Sequence, residues 1–352
     1  MLYLLANFRG IFGPLRLFEY VTFRSGCALI KAMLLVILLG PWTIRKLKQF
    51  CVPKSARLEG LVDEKFVDHS KDKTPTMGGL SFIAAALLIV LAFGWKAMLE
   101  GHFEHLYAFG FALIYGLIGF LDDFMKVKFH RNLGLTALQK LLLQLAAAGA
   151  YLAILRTTGS LSGELYVPFA QLSIPVNGIV YTVFALFVLV GGVNAVNLTD
   201  GVDGLATSVT IPVMAFFAVC AFLWGQPTLG LTPAAMAGAL AGFLIHNRHP
   251  AKMFMGDTGS LFLGALVGGL AFALDMPLVL LLVGVIYIAE TLSVILQVTY
   301  FNLTHGNRIF KMTPIHHHFE MLGWSENKIV LIFTAVTIAA CVLAWFGVRG
   351  RL

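Results

Sequence analysis

The chain contains ten long stretches of apolar residues, and this succession constrains the fold more than any other feature. About 20 apolar residues in a helix cross the hydrocarbon core of a bilayer, where the backbone must satisfy its own hydrogen bonds. Of 352 residues, 59% are apolar and 12% are charged, which excludes an ordinary soluble enzyme. The sequence therefore predicts an all-α polytopic membrane protein with a single integral membrane domain over residues 1–352. The predicted spans are 25–44, 77–98, 106–121, 138–156, 175–195, 205–224, 233–247, 260–275, 278–301 and 328–348.

Charge gives the predicted orientation of these spans. Of the 25 Lys and Arg residues, 17 lie in or beside the loops that follow spans one, three, five, seven and nine. The positive-inside rule places those loops in the cytoplasm and both termini outside. Because topology explains the basic residues, the net charge of +7 does not predict nucleic-acid binding. The alternating residues 159–174 predict a small external β-hairpin.

Residues suited to chemistry lie mainly in these five cytoplasmic loops, which predicts one site at one membrane face. Loop one ends in a turn at 74–79 that either caps the next helix or lets its backbone approach phosphate. Span three ends in adjacent Asp122 and Asp123, with Lys126 one helical turn later. These residues either form a solvated helix end or offer hard oxygen ligands to Mg²⁺ and a cation to phosphate.

Loops five and seven carry further acids and amides. Residues 194–204 contain Asn194, Asn197, Asp200 and Asp203 and no Lys or Arg. An Asx-rich turn accounts for the two Asp-Gly pairs but leaves both amides unexplained. Residues 246–260 combine a cation, an amide and an aromatic ring, the mixture that a nucleotide requires, although Asp257 or Thr258 could simply cap a helix. The chain has no GxxxxGK[ST] phosphate-binding loop.

Two more polar groups fall in the last third of the chain. Glu290 lies near the middle of span nine, and Ser293 and Gln297 follow it at helical spacing. This stripe is either functional or a set of hydrogen bonds between helices. The tract of three histidines at 316–318 is either part of the site or a solvated metal-binding segment.

Five motifs together resemble one family. They are TPTMGG at 74–79, GFLDDFMKV at 119–127, NAVNLTDGVDGLA at 194–206, MGDTGS at 255–260 and TPIHHHFE at 313–320. They closely resemble the phospho-N-acetylmuramoyl-pentapeptide transferases, a family of the polyprenyl-phosphate N-acetylhexosamine-1-phosphate transferase superfamily. The match runs through all five cytoplasmic loops, whereas Lys73 stands where the family commonly has a small residue and residues 1–40 match loosely.

The resemblance implies a reaction and a set of partners. Phospho-MurNAc-pentapeptide would pass from UDP-MurNAc-pentapeptide to undecaprenyl phosphate, with release of UMP and formation of lipid I in peptidoglycan biosynthesis. It also implies a homodimer in the bacterial cytoplasmic (inner) membrane and a requirement for Mg²⁺. Because cations must offset the repulsion between the two anionic substrates, we predict Asp257, Asn197 and Asp122 as the metal ligands.

Motif position carries over the remaining roles. The implied catalytic residues are Asp122, Asp123, Asp257, Lys126 and His317. The implied substrate-binding residues are Lys71, Thr76, Asn197, Asp200, Asp203, Asn247, Phe254, Gln297, His316 and His318. Spacing leaves open whether a carboxylate attacks first or the lipid phosphate attacks directly, and direct attack is favoured because a phosphate monoester is already ionised near neutral pH.

Two other functions stay open at the level of sequence. A superfamily enzyme that uses UDP-N-acetylglucosamine would share the acidic motifs but not the histidine tract. A secondary transporter would suit ten helices and an intramembrane Glu290. The transporter is disfavoured because most of the acids lie at the cytoplasmic edge rather than at the bilayer midplane.

Overall fold

A computed structural model describes residues 8–50, 73–129 and 134–351. Ten helices within these ranges are long and apolar enough to cross a membrane, which confirms the predicted fold class and number of spans. The helices are α1 (Val21–Leu47), α2 (Gly79–Leu99), α3 (Glu104–Lys128), α4 (Ala137–Thr157), α5 (Gly178–Thr199), α6 (Leu205–Leu223), α7 (Pro227–Asn247), α8 (Gly256–Ala273), α9 (Leu280–Val283), α10 (Val285–Leu303), α11 (Ile315–Glu320) and α12 (Glu326–Val348). Short 3₁₀ helices occupy Gly13–Glu19, Lys48–Phe50, Pro277–Val279 and Arg349–Arg351.

Helix α8 forms the centre of the bundle. In its most apolar stretch 89% of the residues are buried, against 28% in α1, α10 and α12. The outer helices therefore present apolar side chains to the surroundings, as expected where lipid replaces water. Helix α3 packs along α8, and Gly119 makes the close approach possible because a Cβ there would overlap the Asp257 carbonyl.

Local sequence signals set the starts of several helices. Thr136 and Gln139 form a reciprocal capping box at the start of α4. The Asn177 side chain accepts from the backbone N–H groups of Ile179 and Val180 at the start of α5. Ser325 caps α12 in the same manner by accepting from Lys328.

The predicted β-hairpin is confirmed. Strands β1 (Glu164–Val167) and β2 (Leu172–Pro175) pair antiparallel, with Glu164 opposite Pro175. The location of this hairpin and of both termini outside the cell stays a prediction, as does the single-domain assignment.

Two predicted spans differ from the structure. Span nine, expected as one helix over 278–301, is divided at Gly284 into α9 and α10. Glycine is a weak helix former, and the helix is interrupted at this residue. Backbone hydrogen bonds continue on both sides of it, because Gly284 N donates to Leu280 O and Ile288 N donates to Gly284 O. Span three, predicted over 106–121 with Asp122 and Asp123 at its end, continues to Lys128, so both acids lie inside helix α3.

Candidate active site

A cavity of about 380 Å³ lies at one end of the bundle, where the segments that join the helices meet. We call it the site cavity. Its lining is mostly polar and comes from α3, α5, the end of α7, the start of α8 and the segments before α2, α6 and α8. The lining residues are Thr74, Thr76, Asp123, Lys126, Asn197, Asp200, Gly201, Val202, Asp203, Asn247, Phe254, Gly256 and Asp257.

Two lysines and two aspartates form an ion cluster beside the cavity: Asp122, Lys126, Lys140 and Asp257. The Lys126 Nζ lies 2.6 Å from Asp122 Oδ2 and 3.2 Å from Asp257 Oδ2. The Lys140 Nζ donates to Asp257 Oδ2 at 2.9 Å. Asp122 is almost fully buried, whereas the side chain of Asp257 is 20% exposed and can be reached from the cavity. Ion pairing at such burial is strong because water screens it little.

A backbone contact fixes the position of Asp122 from the other side. The N–H of Leu135, just before α4, donates to Asp122 Oδ1 at 2.7 Å. The neighbouring Gly134 has no side chain, and a Cβ there would overlap the Asp122 carboxyl. The start of α4 therefore holds both the Asp122 carboxylate and, through Lys140, that of Asp257.

Asp123 binds the first turn of α8. Its Oδ2 accepts from the Thr258 backbone N at 2.9 Å and from Thr258 Oγ1 at 2.8 Å. A carboxylate at a helix N-terminus is favoured by the helix dipole and by the unpaired N–H groups. Gly256 precedes this turn with φ +70°, a conformation that favours glycine, and a Cβ there would also overlap Asp123 Oδ2.

Asn197 links α5 to α8. Its Nδ2 donates to Asp257 Oδ1 at 3.1 Å and lies 2.7 Å from Ser260 Oγ. The other amide singled out in this segment, Asn194, has a structural explanation instead, since it donates to Gln144 Oε1 of α4 at 3.0 Å. Of the two amides that the turn left unexplained, Asn194 thus bonds a neighbouring helix and Asn197 contacts Asp257.

A second group of potential metal ligands lies on the other side of the cavity. It consists of Asp203, His249 and Glu326, whose ligand atoms all lie within 4.8 Å of one another. The His249 Nδ1 is 3.2 Å from Asp203 Oδ2 and 3.4 Å from Glu326 Oε1. The backbone N of Ala251 also donates to Asp203 Oδ2, at 3.0 Å. These contacts join the turn before α6, the segment after α7 and the start of α12.

Loops one and seven pair through their backbones. Phe254 N donates to Pro75 O at 2.9 Å, and Gly78 N donates to Phe254 O at 2.8 Å. Asn247 supports the same region by donating to Met253 O at 3.1 Å. This pairing places Thr76 and Phe254 in the cavity wall together.

The histidine tract forms the short helix α11 and is attached to α10. The fully buried Glu290 carboxylate lies 2.9 Å from His316 Nδ1 and accepts the His316 backbone N–H. Gln297 Oε1 accepts the backbone N–H groups of Ile309 and Phe310, at 3.1 and 2.9 Å. Of the two interpretations of this polar stripe, hydrogen bonding to a neighbouring segment is what the contacts show.

The other two histidines of the tract, His317 and His318, contact residues of their own segment. His317 Nδ1 pairs with Glu320, and His318 Nδ1 accepts from the Lys311 backbone N at 3.1 Å. His316 approaches the cavity, because a Cβ on the lining residue Gly201 would overlap its Nε2.

The predicted site residues thus fall into three groups. Within the described chain, nine of them line the site cavity: Thr76, Asp123, Lys126, Asn197, Asp200, Asp203, Asn247, Phe254 and Asp257. Five described residues are not in the lining. Asp122 contacts the lining residue Lys126, Gln297 lies on α10, and His316, His317 and His318 lie on α11. Lys71 lies outside the described residues.

Sequence reasoning missed Lys140, Thr258, His249 and Glu326 as members of the site. Lys140 was counted only as a cytoplasmic charge, although a lysine one turn inside an apolar span is a usable signal. Glu326 lies in the first turn of α12, where an acid is favoured by the helix dipole alone, so its position does not indicate a site residue. Nothing in their spacing shows that distant segments bring them together.

Comparison with known proteins gives a consistent result. Residues 105–275 match the family model described as glycosyl transferase family 4. A protein of Clostridium beijerinckii is 45% identical over 318 residues, which cover 90% of this chain and 94% of that protein. One of Carboxydothermus hydrogenoformans is 45% identical over 291 residues, and one of Caldanaerobacter subterraneus is 47% identical over 278; each match covers 79% of this chain and 85% of the relative. All three relatives are named phospho-N-acetylmuramoyl-pentapeptide-transferase.

Proposed function

The chain belongs to the phospho-N-acetylmuramoyl-pentapeptide transferases, and from that premise we propose that it transfers phospho-MurNAc-pentapeptide from UDP-MurNAc-pentapeptide to undecaprenyl phosphate. The products are lipid I and UMP. Ten membrane-competent helices with a polar cavity at one end suit a reaction between a soluble nucleotide and a lipid phosphate. The proposal includes location in the bacterial cytoplasmic membrane and assembly as a homodimer.

The observation that carries this proposal is the ion cluster at the edge of the site cavity. An anionic lipid phosphate must approach an anionic diphosphate, a repulsion of about 4 kcal/mol per charge pair at ~4 Å and an effective dielectric of ~20. The ammonium groups of Lys126 and Lys140 lie within 3.2 Å of the Asp257 carboxylate. They supply fixed positive charge at the place where the two anions would meet, and a preorganised charge needs no rearrangement during reaction.

The cluster also fits a divalent cation. Asp122 and Asp257 already converge on one cationic atom, Lys126 Nζ, and carboxylate oxygens are the ligands that Mg²⁺ prefers. We propose that Asp257 and Asp122 hold Mg²⁺ with Asn197, whose amide contacts Asp257. When bound, Mg²⁺ would neutralise charge on the diphosphate and on the departing UMP.

The two adjacent acids of α3 are proposed to act on the lipid phosphate. Asp122 and Asp123 would orient the lipid phosphate, with Asp122 as the candidate base. Asp123 is committed to Thr258 through one oxygen, so its orientation is fixed by α8. Direct attack by the lipid phosphate suits these contacts, because alignment contributes more than a base when the nucleophile is already ionised.

The rest of the cavity is proposed to bind the donor. Amide and carboxylate groups of Asn247, Asp200 and Asp203 offer hydrogen bonds to a nucleoside, and the Phe254 ring offers a stacking surface. Thr76 completes this wall. The proposal also assigns phosphate or sugar contacts to His317, with His316 and His318, and substrate contacts to Gln297 and Lys71.

The test measures UMP release by the detergent-purified protein with both substrates, in Mg²⁺ and then in EDTA. We expect UMP and a lipid-extractable sugar product that require the metal. Asp257→Asn should abolish turnover, whereas Asp275→Asn, a matched change at the other end of the bundle, should leave it unchanged. Turnover with UDP-N-acetylglucosamine instead of the peptide-bearing donor would refute the substrate assignment.

A further inference from the structure

The turn between α5 and α6, residues 200–204, forms one wall of the site cavity. Its residues 200–203 all belong to the lining, and Asp200 is half-buried whereas Asp203 is buried. We call this segment the donor turn. Helix α6 begins after Gly204, which has φ +77° and no side chain that could cap the helix. The position of the donor turn therefore depends on contacts with other segments of the chain.

Glu326 holds the backbone of the donor turn from outside the cavity. It is the first residue of α12, and its side chain is 15% exposed. The backbone N–H of Asp203 donates to Glu326 Oε2 at 3.0 Å. A hydrogen bond from a backbone N–H to a carboxylate is charge-assisted and is among the stronger bonds in proteins. Glu326 is not a lining residue, so it contacts the wall of the cavity from behind.

His249 joins Glu326 to the side chain of Asp203. Its Nδ1 lies 3.2 Å from Asp203 Oδ2 and 3.4 Å from Glu326 Oε1, where an N–H offsets the repulsion between the two carboxylates. The backbone N–H of Ala251 donates to the same Asp203 oxygen at 3.0 Å. Both the main chain and the carboxylate of Asp203 are therefore fixed by residues that come from two distant segments. The His249 side chain is 40% exposed, so it can be changed without opening the core of the bundle.

We propose that Glu326 is a positioning residue for the nucleotide part of the donor, and that His249 supports it. Together they hold the donor turn in the conformation that binds a uridine nucleotide. This inference rests on the proposed function, because it takes the wall that contains Asp200 and Asp203 to be the donor-binding wall. The ion cluster is held by other contacts, such as that of Leu135 N with Asp122. Loss of Glu326 therefore weakens nucleotide binding and leaves the transfer step unchanged.

The experiment separates nucleotide binding from turnover. The Kd of UMP is measured by calorimetry on the detergent-purified protein, and kcat and the KM of each substrate are measured by UMP release. Glu326→Ala removes the acceptor of the Asp203 N–H and should raise both the Kd of UMP and the KM of the donor about tenfold, or ~1.4 kcal/mol. Glu326→Gln keeps an uncharged acceptor and should raise them less. In both variants kcat and the KM of undecaprenyl phosphate should stay within twofold of the wild type.

Matched variants separate positioning from the stability of α12. Ser325→Ala removes the side chain that caps α12 but keeps the Glu326 carboxylate, so it should lower the thermal unfolding midpoint and keep the Kd of UMP. Glu104→Ala also changes the first residue of a membrane-competent helix, α3, about 33 Å along that helix from Lys126, and should behave as the wild type. His249→Ala, at a half-exposed position, should raise the Kd of UMP in the same direction as Glu326→Ala and keeps the test decisive if Glu326→Ala does not fold.

The outcomes distinguish this inference from the proposed function. An unchanged Kd of UMP in both Glu326→Gln and His249→Ala would overturn the positioning role, while turnover of the pentapeptide donor by the wild type would still support the proposed function. A rise in Ser325→Ala as large as that in Glu326→Ala would also overturn it, because the effect would then belong to α12 as a whole. A wild-type protein that binds UMP but forms no lipid I would refute the proposed function, and the comparison of Kd values would still decide the role of Glu326.

Discussion

Lys140 offers the sharpest test of the ion cluster. Its Nζ lies 2.9 Å from Asp257 Oδ2 and 4.0 Å from Asp122 Oδ2, and its side chain is 20% exposed. Lys140→Met keeps the length of the side chain and removes the charge. Lys126 would remain as the ammonium group that contacts both carboxylates among the described residues.

The expected loss follows from the geometry. Two unit charges 2.9 Å apart attract by about 6 kcal/mol at an effective dielectric of ~20. Lys126 lies 3.2 Å from the same carboxylate and offsets part of the loss, and the exposed fraction of both side chains admits water. We expect a net loss of about 2–3 kcal/mol in transition-state stabilisation, or a fall of about 30- to 150-fold in kcat.

The assay measures kcat and KM for UMP release with the pentapeptide donor and undecaprenyl phosphate. Lys140→Arg keeps the charge and should recover part of kcat, whereas Lys128→Met, an exposed lysine at the end of α3, should behave as the wild type. A Lys140→Met enzyme that folds normally and retains kcat within twofold of the wild type would refute the electrostatic argument.

Three further predictions concern the packing around the site. Gly119→Ala should destabilise the protein by about 1–3 kcal/mol, because the new methyl group overlaps the α8 backbone. Gly110→Ala on the same helix meets open space and should leave stability unchanged. The thermal unfolding midpoints of the two variants in detergent test this difference. Gln297→Ala leaves two backbone N–H groups unpaired and should lower the unfolding midpoint and UMP release, and Gln297→Glu, which keeps the acceptor, should lower them less. Glu290→Gln removes the charge beside His316 and should reduce UMP release; activity equal to that of the wild type would contradict the role of this pair in holding α11.

The fold was predictable from sequence where a single physical quantity decides it. Helix number follows from the length and hydropathy of each segment, because a bilayer requires both. The hairpin follows from alternation between two turn-rich boundaries. The division of span nine at Gly284 was missed, because one glycine in an apolar run is compatible with both a continuous helix and a broken one.

The site was predictable as a collection of residues but not as a set of contacts. Motifs placed Asp122, Asp257 and Asn197 near one another in principle, since their segments share a membrane face. The partner of each depends on how helices pack across long stretches of sequence. Lys140 meets Asp257 over 117 positions, and Glu326 meets the backbone N of Asp203 over 123. No local pattern encodes these separations.

The contacts explain how a group of acids can persist at the end of an apolar bundle. Each of three carboxylates accepts a backbone N–H from another segment: Asp122 from Leu135, Asp123 from Thr258 and Asp203 from Ala251. Such bonds stabilise the ionised form and fix its direction without using a mobile side chain. Folding therefore offsets the repulsion between the acids before substrates arrive. Because the backbone holds Asp122 in place, the Lys126 ammonium that pairs with it is held as well, so the proposed site offers its positive charge before substrates bind, as charge-stabilised phosphoryl transfer requires.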